Sequence, residues 1–285
     1  PLVIERGRSR TSKMKPLAGK RALLTGASRG IGVHIAQALA QAGADLVLTA
    51  RNAEDLHRVA DTLNASGRSV EVIAADMSDR SSLKELVQKI QATDKPIDLL
   101  VNNAGIYGYD IFGDGDFNDI EKMIHVNLTG LMYLTHALIP AMKSRGHGHI
   151  VNMSSLAGLS GSAYSESYCA TKHAVVGFTR ALRASLKQQG TKVSASVICP
   201  GMVAETGIFE KLSEEEGVQA PALMGKSNPR RVADAVVRSI VKDLPEVIVN
   251  PSPIRPAIAL SALFPAFMEW LTLKLGIHNF LPLDK

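Results

Sequence analysis

The stretch Arg21-Ala22-Leu23-Leu24-Thr25-Gly26-Ala27-Ser28-Arg29-Gly30-Ile31-Gly32 decides the fold. A short apolar run ends at Thr25, glycines follow at positions 26, 30 and 32, and apolar residues then recur at helical spacing from Ile31 to Ala42. A strand that turns into a helix over glycines brings the backbone close to whatever lies above it. The first N–H groups of that helix then face outward, a natural seat for an anion such as a pyrophosphate. The spacing is G-x-x-x-G-x-G and not G-x-G-x-x-G, so a plain strand–helix turn stays open at this point.

Working outward, the same alternation repeats. Apolar runs at 46–49, 70–74, 98–101, 150–153, 193–198 and 247–249 read as buried strands. Segments with helical periodicity separate them at 56–63, 83–90, 120–142, 168–186 and 232–241. Apolar strands alternating with helices pair in parallel and are covered on both faces. The expectation is therefore one α/β domain over residues 20–250, an open doubly wound parallel sheet of about seven strands with helices on both faces. Ligands belong at the carboxyl ends of its strands.

Composition supports one large domain and excludes several classes. Of the 285 residues 46% are hydrophobic, too many for a disordered chain, and Gly 23 and Pro 13 are scattered without repeat. Two cysteines, Cys169 and Cys199, cannot build a disulfide framework and point to a reducing, cytoplasmic setting. The net charge of +5 belongs to one end: residues 1–20 hold six bases and one acid, leaving 26 of each over residues 21–285. No nucleic-acid partner is expected from a neutral body with a basic, disordered tail over residues 1–19. The first methionine is Met14, so residues 1–13 read as an upstream remnant, and no signal peptide is expected.

Two stretches break the rhythm. Residues 202–228 carry Gly207, the acids Glu214 and Glu216, Pro221 and Gly225, and read as a substrate lid. An apolar extension at 251–285 is punctuated by Pro251, Pro253, Pro256 and Pro265. Its longest uncharged run, 256–268, is too short to span a bilayer. With Phe264, Phe267, Trp270 and Leu271 it suits core or subunit packing, a cavity wall, or contact with a membrane surface.

Chemistry is carried by a few positions. The second strand ends at Leu48-Thr49-Ala50-Arg51, with a guanidinium where an acid would bond a ribose 2′-hydroxyl. Arg29 adds a second cation, and the pair favours a 2′-phosphate, hence NADP(H) over NAD(H). Glu54 and Asp55 lie too far into the next helix to take the acid's place. Tyr168 and Lys172 stand four apart on one helical face, where an ammonium stabilises a phenolate. Ser155, just beyond the 150–153 strand, can bond the same substrate oxygen.

These motifs, in this order over residues 20–250, resemble the short-chain dehydrogenase/reductase family with its Rossmann-like fold. Thr25–Gly32 resembles the family's T-G-x-x-x-G-x-G loop, and Asn102-Asn103-Ala104-Gly105 its N-N-A-G. Asp76 resembles the acid that contacts adenine, with Met77 beside it. Ser155, Tyr168 and Lys172 match the serine and Y-x-x-x-K, and Pro200-Gly201 matches the P-G turn.

The resemblance implies catalysis by Asn127, Ser155, Tyr168 and Lys172. Tyr168 exchanges the proton, Ser155 polarises the oxygen, and Lys172 holds the nicotinamide ribose and lowers the tyrosine's pKa. Asn127 supports a water linking Lys172 to solvent. The cofactor set it implies is Gly26, Ser28, Arg29, Gly30, Ile31, Gly32, Arg51, Asp76, Met77, Asn103, Ala104, Gly105, Tyr168, Lys172, Pro200, Gly201 and Val203. Homodimers or homotetramers through the long helices are also implied. One departure stands out: Glu205 occupies the place of a threonine in the family's x-V-x-T run, with Thr206 one residue on.

Weaker signals resolve to structural readings. His147 and His149 lack further ligands at metal spacing, so no metal is expected. The acidic run from Asp114 to Asp119 lacks the glycine and glutamate of a calcium loop and reads as a loop leading into a helix cap. Cys169 turns away from Tyr168's face by one helical step.

Two functions remain: an NADP(H)-dependent reductase of ketones or aldehydes working also in reverse on the alcohol, or a dinucleotide-binding regulator without turnover. Apolar residues at 202, 208, 209, 212, 223, 224, 264 and 267, and the lack of an arginine clamp, lean toward a lipophilic carbonyl substrate.

Overall fold

The computed structural model describes residues 15–65, 67–206, 210, 213–214 and 225–275. Seven strands form one sheet: β1 Arg21–Thr25, β2 Asp45–Thr49, β3 Val70–Val72, β4 Leu99–Asn102, β5 Gly148–Met153, β6 Val193–Pro200 and β7 Glu246–Val249. All pairs are parallel, in the order β3-β2-β1-β4-β5-β6-β7. The chain winds from β1 outward to β3, then crosses back to β4 on the other side of β1. The order reverses there, opening a crevice above the carboxyl ends of β1 and β4.

Alternation along β1 shows how the sheet is held. Ala22 and Leu24 face the layer of α1 (Ile31–Ala42), α2 (Ala53–Asn64) and α7 (Pro229–Val241). Leu23 points the other way, toward α3 (Arg80–Gln91) and α5 (Gly130–Arg145). α6 (Glu166–Gln188) joins that second layer through Val175 and Val176, packed with Val197 and Cys199. Every residue of β1 is buried, as two-sided cover requires.

The expected elements are present, with shifts of a few residues at their ends. β3 stops at Val72, two residues short of the expected strand. The single helix expected over 120–142 is interrupted: α4 (Phe117–Ile124) gives way to a π-helical segment, His125–Thr129, before α5 begins. Asn127 sits in this wide turn, whose i→i+5 geometry is concentrated at functional sites. Asp116 caps α4 by accepting from the Asn118 N–H at 2.9 Å, the capping role read from the sequence.

Beyond β7 the extension folds as two short helices, α8 (Arg255–Leu263) and α9 (Pro265–Lys274), that pack chiefly on each other. Neither contains a buried residue, so this hairpin is no part of the core. Of the lid, Gly207, Ile208, Phe209, Leu212, Pro221, Leu223 and Met224 lie outside the described residues.

Candidate active site

The glycine turn after β1 is locked against β4 by one side chain and one hydroxyl. Thr25 Oγ1 accepts the N–H groups of Asn103 and Ala104, each at 3.0 Å. Asn103 Nδ2 donates back to the carbonyls of Thr25 and Gly26 at 3.0 and 3.1 Å. Close approach dictates glycine here: a Cβ on Gly26, at φ +66°, would stand 2.8 Å from Ala104 Cα. Gly30 enters α1 at φ 62° with no side-chain cap, leaving the helix N–H groups for an outside acceptor.

This turn floors a cavity of about 1530 Å³. Single small-ligand pockets run to roughly 1,000 Å³, so the space suits a dinucleotide and a substrate together. Its lining includes Gly26, Ser28, Arg29, Gly30, Ile31, Gly32, Arg51, Asp76, Met77, Asn103, Ala104, Gly105, Ser155, Tyr168, Lys172, Pro200, Gly201 and Val203. Asn127 is not on the wall; it is buried behind it.

The cavity's far end carries the charges. Arg51 and Arg29 are exposed at its rim. Asp55 also borders it, but its carboxylate is held by Arg58, which reaches Glu54 as well at 3.4 Å. Burial works against ionisation of Asp76, yet the Ser78 N–H and hydroxyl, with Arg51 nearby, keep its carboxyl below the usual range. Neutralising cations and an engaged acid are the chemistry of a site for a terminal phosphate.

At the near end the reactive groups converge. Ser155 ends the β5 segment in extended backbone and caps the 3₁₀ turn Leu156–Gly158 by accepting from the Ala157 N–H at 3.2 Å. Tyr168 lies in the first turn of α6 with its phenol bonded to Ser155. Lys172, one turn on, donates from Nζ to the Met153 carbonyl at 3.0 Å and stands 5.6 Å from the Tyr168 ring centroid. Asn127 accepts from the Ile106 N–H at 2.8 Å and donates to the Ile106 carbonyl at 2.9 Å, pinning the chain after Gly105. A Cβ on Gly105 would meet Asn127 Oδ1 at 3.3 Å and Lys172 Nζ at 3.4 Å, so both groups crowd one point.

The expected depression of the phenol pKa is not what this geometry gives. Burial dominates, raising Tyr168 above its ordinary value while the Ser155 bond pulls the other way. The same burial lowers the Lys172 ammonium to about 8. Two buried groups side by side each lose solvation of their charged form, and Nζ bonds the Met153 carbonyl. The resting site therefore holds a protonated phenol, the form that donates a proton.

Sequence reasoning missed Tyr107. Its ring meets Tyr168 edge-on at 4.8 Å between centroids, its hydroxyl bonds Ser165 Oγ at 2.9 Å, and it lines the cavity. The available signal was position: it falls two residues past Gly105, at the carboxyl end of β4. The extension, one of whose expected roles was a cavity wall, does wall the cavity, through Ile258, Ser261, Met268, Leu271 and Thr272 of the α8–α9 hairpin; Phe264 and Phe267, expected to supply substrate-lining surface, are not on that wall. The one-residue departure after Pro200-Gly201 is absorbed locally. Glu205 takes φ 63°, off the cavity wall, and Thr206 borders the cavity.

The discounted signals have structural partners. His147 Nε2 lies 2.8 Å from Asp98 Oδ1, and His149 Nε2 lies 2.8 Å from Ser196 Oγ. The Cys169 thiol is directed at the Ser162 carbonyl at 3.9 Å, away from the reacting groups.

The short chain dehydrogenase family model matches residues 20–217. The chain belongs to this family. Membership makes it an NAD(P)-dependent oxidoreductase. Among curated relatives, a ketoacyl reductase, HetN, of Nostoc sp. is 42% identical over 245 residues, covering 86% of this chain and 83% of the relative. Among solved structures, a metagenomic short-chain oxidoreductase in complex with NADP is 32% identical with a TM-score of 0.70, covering 83% of this chain and 99% of that one. A short-chain dehydrogenase from Sphingobium yanoikuyae in complex with NADPH is 28% identical with a TM-score of 0.72, covering 89% and 95%.

Proposed function

We propose that this oxidoreductase reduces a lipophilic ketone or aldehyde with NADPH, or oxidises the matching alcohol, with Tyr168 as the acid/base. The observation that carries the reading is the convergence of Ser155 with the buried Tyr168 and Lys172 at one end of the cavity. When bound, the dinucleotide supplies the hydride. Tyr168 Oη donates its proton to the substrate oxygen, and Ser155 Oγ bonds the same oxygen and fixes its direction. Lys172, positively charged below about pH 8, stabilises the phenolate left behind. Asn127, bonded to the backbone at Ile106 and donating to Thr171 Oγ1 at 3.2 Å, supports a water linking Lys172 to solvent.

Arg29 and Arg51 support NADP(H) over NAD(H), in keeping with the NADP- and NADPH-bound neighbours. A lipophilic substrate is supported by Leu156, Met202, Ile258, Met268 and Leu271 on the cavity wall, and by the ketoacyl reductase among the relatives. Two buried unpaired thiols fit a reducing, cytoplasmic location. Assembly as a homodimer or homotetramer through α5 and α6 is proposed from the family likeness, with Met132 exposed on α5.

Replacing Tyr168 by Phe tests the reading. Turnover is expected to fall by about 10²–10⁴-fold while NADPH binding stays near that of the parent. Retained turnover would overturn the proton-transfer assignment. A parent protein that binds NADPH but turns over no carbonyl in a broad panel would favour a regulator.

A further inference from the structure

Apolar residues on α8 and α9 divide into two faces. Ile258, Ser261, Pro265, Met268 and Thr272 recur at three- and four-residue steps and line the cavity. Leu263, Phe267, Trp270 and Lys274 form a second stripe, with Phe264 beside it, and none of these lines the cavity. Leu263 is 72% exposed, Phe264 57%, Phe267 49% and Trp270 53%. Single exposed apolar residues are ordinary, whereas a row of aromatic and leucine side chains on one face marks a surface that is covered in use.

We propose that this outer face docks onto an anionic lipid bilayer. Charge decides the occupant. Residues 251–275 hold three charged side chains: Arg255, Glu269 and Lys274. Glu269 borders the cavity and Arg255 reaches Glu246 of β7 at 3.9 Å, so the outer stripe itself carries one charge, the cation of Lys274. Lys274 Nζ lies over the Trp270 ring at 4.8 Å from its centroid, and Phe267 packs against the same ring at 6.0 Å. Aromatic rings beside a cation suit the boundary between lipid headgroups and acyl chains, with the ammonium reaching the phosphates. A second copy seated on this face in two-fold fashion would bring no carboxylate of the stripe to pair with Lys274.

The hairpin lies on the bilayer and does not cross it. α9 has 10 residues, about 15 Å of helix, against a hydrocarbon core of about 30 Å. Among the described residues no helix is long and apolar enough to span. Because the inner face of the same hairpin walls the cavity, docking places the cavity mouth at the lipid surface. A lipophilic carbonyl then passes from the bilayer toward Tyr168 with little exposure to water. That consequence rests on the substrate reading above; the docking itself does not.

The test is flotation of the full chain with vesicles of phosphatidylcholine alone or mixed with phosphatidylglycerol, read beside fluorescence. Trp270 is the chain's single tryptophan, so its emission reports the face directly. Binding is expected to be about ten-fold or more tighter with phosphatidylglycerol, weakened by salt, and accompanied by a blue shift of the emission. The double variant Phe267→Glu, Trp270→Glu is expected to stop floating while its circular dichroism and turnover of a water-soluble carbonyl stay unchanged.

Three outcomes overturn the proposal. One is no flotation and no blue shift. Another is a double variant that still floats, which assigns lipid binding to the basic residues 1–20. The third is a dimer in sedimentation that the double variant dissolves, which assigns the face to a second copy. A protein that docks but rejects apolar carbonyls in detergent would remove the substrate reading and leave the docking in place.

Discussion

The sheet with its glycine turn and the α8–α9 hairpin are both rich in apolar residues, yet they use them in opposite ways. In β1 each of the five residues is buried, alternate side chains serving opposite layers. In α8 and α9 none is buried, and the apolar side chains divide between a cavity and the outside. The difference is one of partners. A parallel strand has neighbours on both edges and helices on both faces, so its burial follows from the topology. The hairpin packs chiefly on its other half, with Arg255 reaching Glu246 of β7 at 3.9 Å. Apolar surface there contributes little to folding and is left to bind something else.

The largest test of this contrast lies in the sheet-built end of the cavity. Arg29 and Arg51 stand on the turns after β1 and β2, fixed by the strands that precede them. On the proposed reading, replacing both with Ala removes charge-assisted bonds to a 2′-phosphate, each worth about 1.5–3 kcal/mol. NADPH affinity is expected to drop by about 10²–10⁴-fold, with NADH affinity changed little. Isothermal titration with both cofactors checks it. An equal loss for both would mean that the arginines act on the whole dinucleotide or on the fold.

The hairpin gives the middle-sized effect, and its readout is different. A chain ending at Pro253 loses α8 and α9 but, among the described residues, no buried one. Its melting temperature and NADPH affinity are expected to stay close to those of the full chain. KM for apolar carbonyls is expected to rise by about ten-fold as the upper wall of the cavity is lost. If the shortened chain unfolds many degrees lower, the hairpin belongs to the core after all, and the contrast fails.

The same contrast explains what could be read in advance. The strands and α1 were legible because period-2 and period-3.6 patterns are imposed by two-sided cover, and Gly26 and Gly30 mark backbone that other residues cannot adopt. Ser155, Tyr168 and Lys172 were legible because they sit at a fixed spacing at the ends of such elements. The π-helical turn at Asn127 was not, since the apolar pattern runs through 120–142 without a break. A one-residue widening is set by what Asn127 bonds, the backbone at Ile106, which is distant in sequence. The protonated state of Tyr168 was hidden for a related reason. The motif shows that Lys172 is near, but not that it is buried together with the phenol and bonded to the Met153 carbonyl. Nor could the pattern of residues 251–275 choose among core, cavity wall and surface, because helical spacing looks alike in all three.

The smallest effect separates the two regions by pH. His149 lies in β5, bonded to Ser196 Oγ at 2.8 Å, and that hydroxyl also reaches the Leu244 carbonyl at 2.5 Å. Burial lowers its pKa to about 4, with Arg183 adding to the shift and Asp243 opposing it. The unfolded chain binds a proton near the ordinary value of about 6.5, and the folded chain does so only near 4. Between those values the unfolded state holds more protons, so stability falls as pH falls, by at most about 3 kcal/mol in all. Asp243, held below the usual carboxylate range despite its partial burial by bonds from Arg183 and Ser194, loses its contribution only at lower pH. His149→Gln is expected to flatten the loss between pH 6.5 and 4 in urea titrations, and to leave the steeper loss below it. The chain ending at Pro253 should keep the full acid dependence, because the hairpin holds no part of this network. If truncation flattened the curve and His149→Gln did not, the pH response would belong to the hairpin, and the division between the two regions would be drawn in the wrong place.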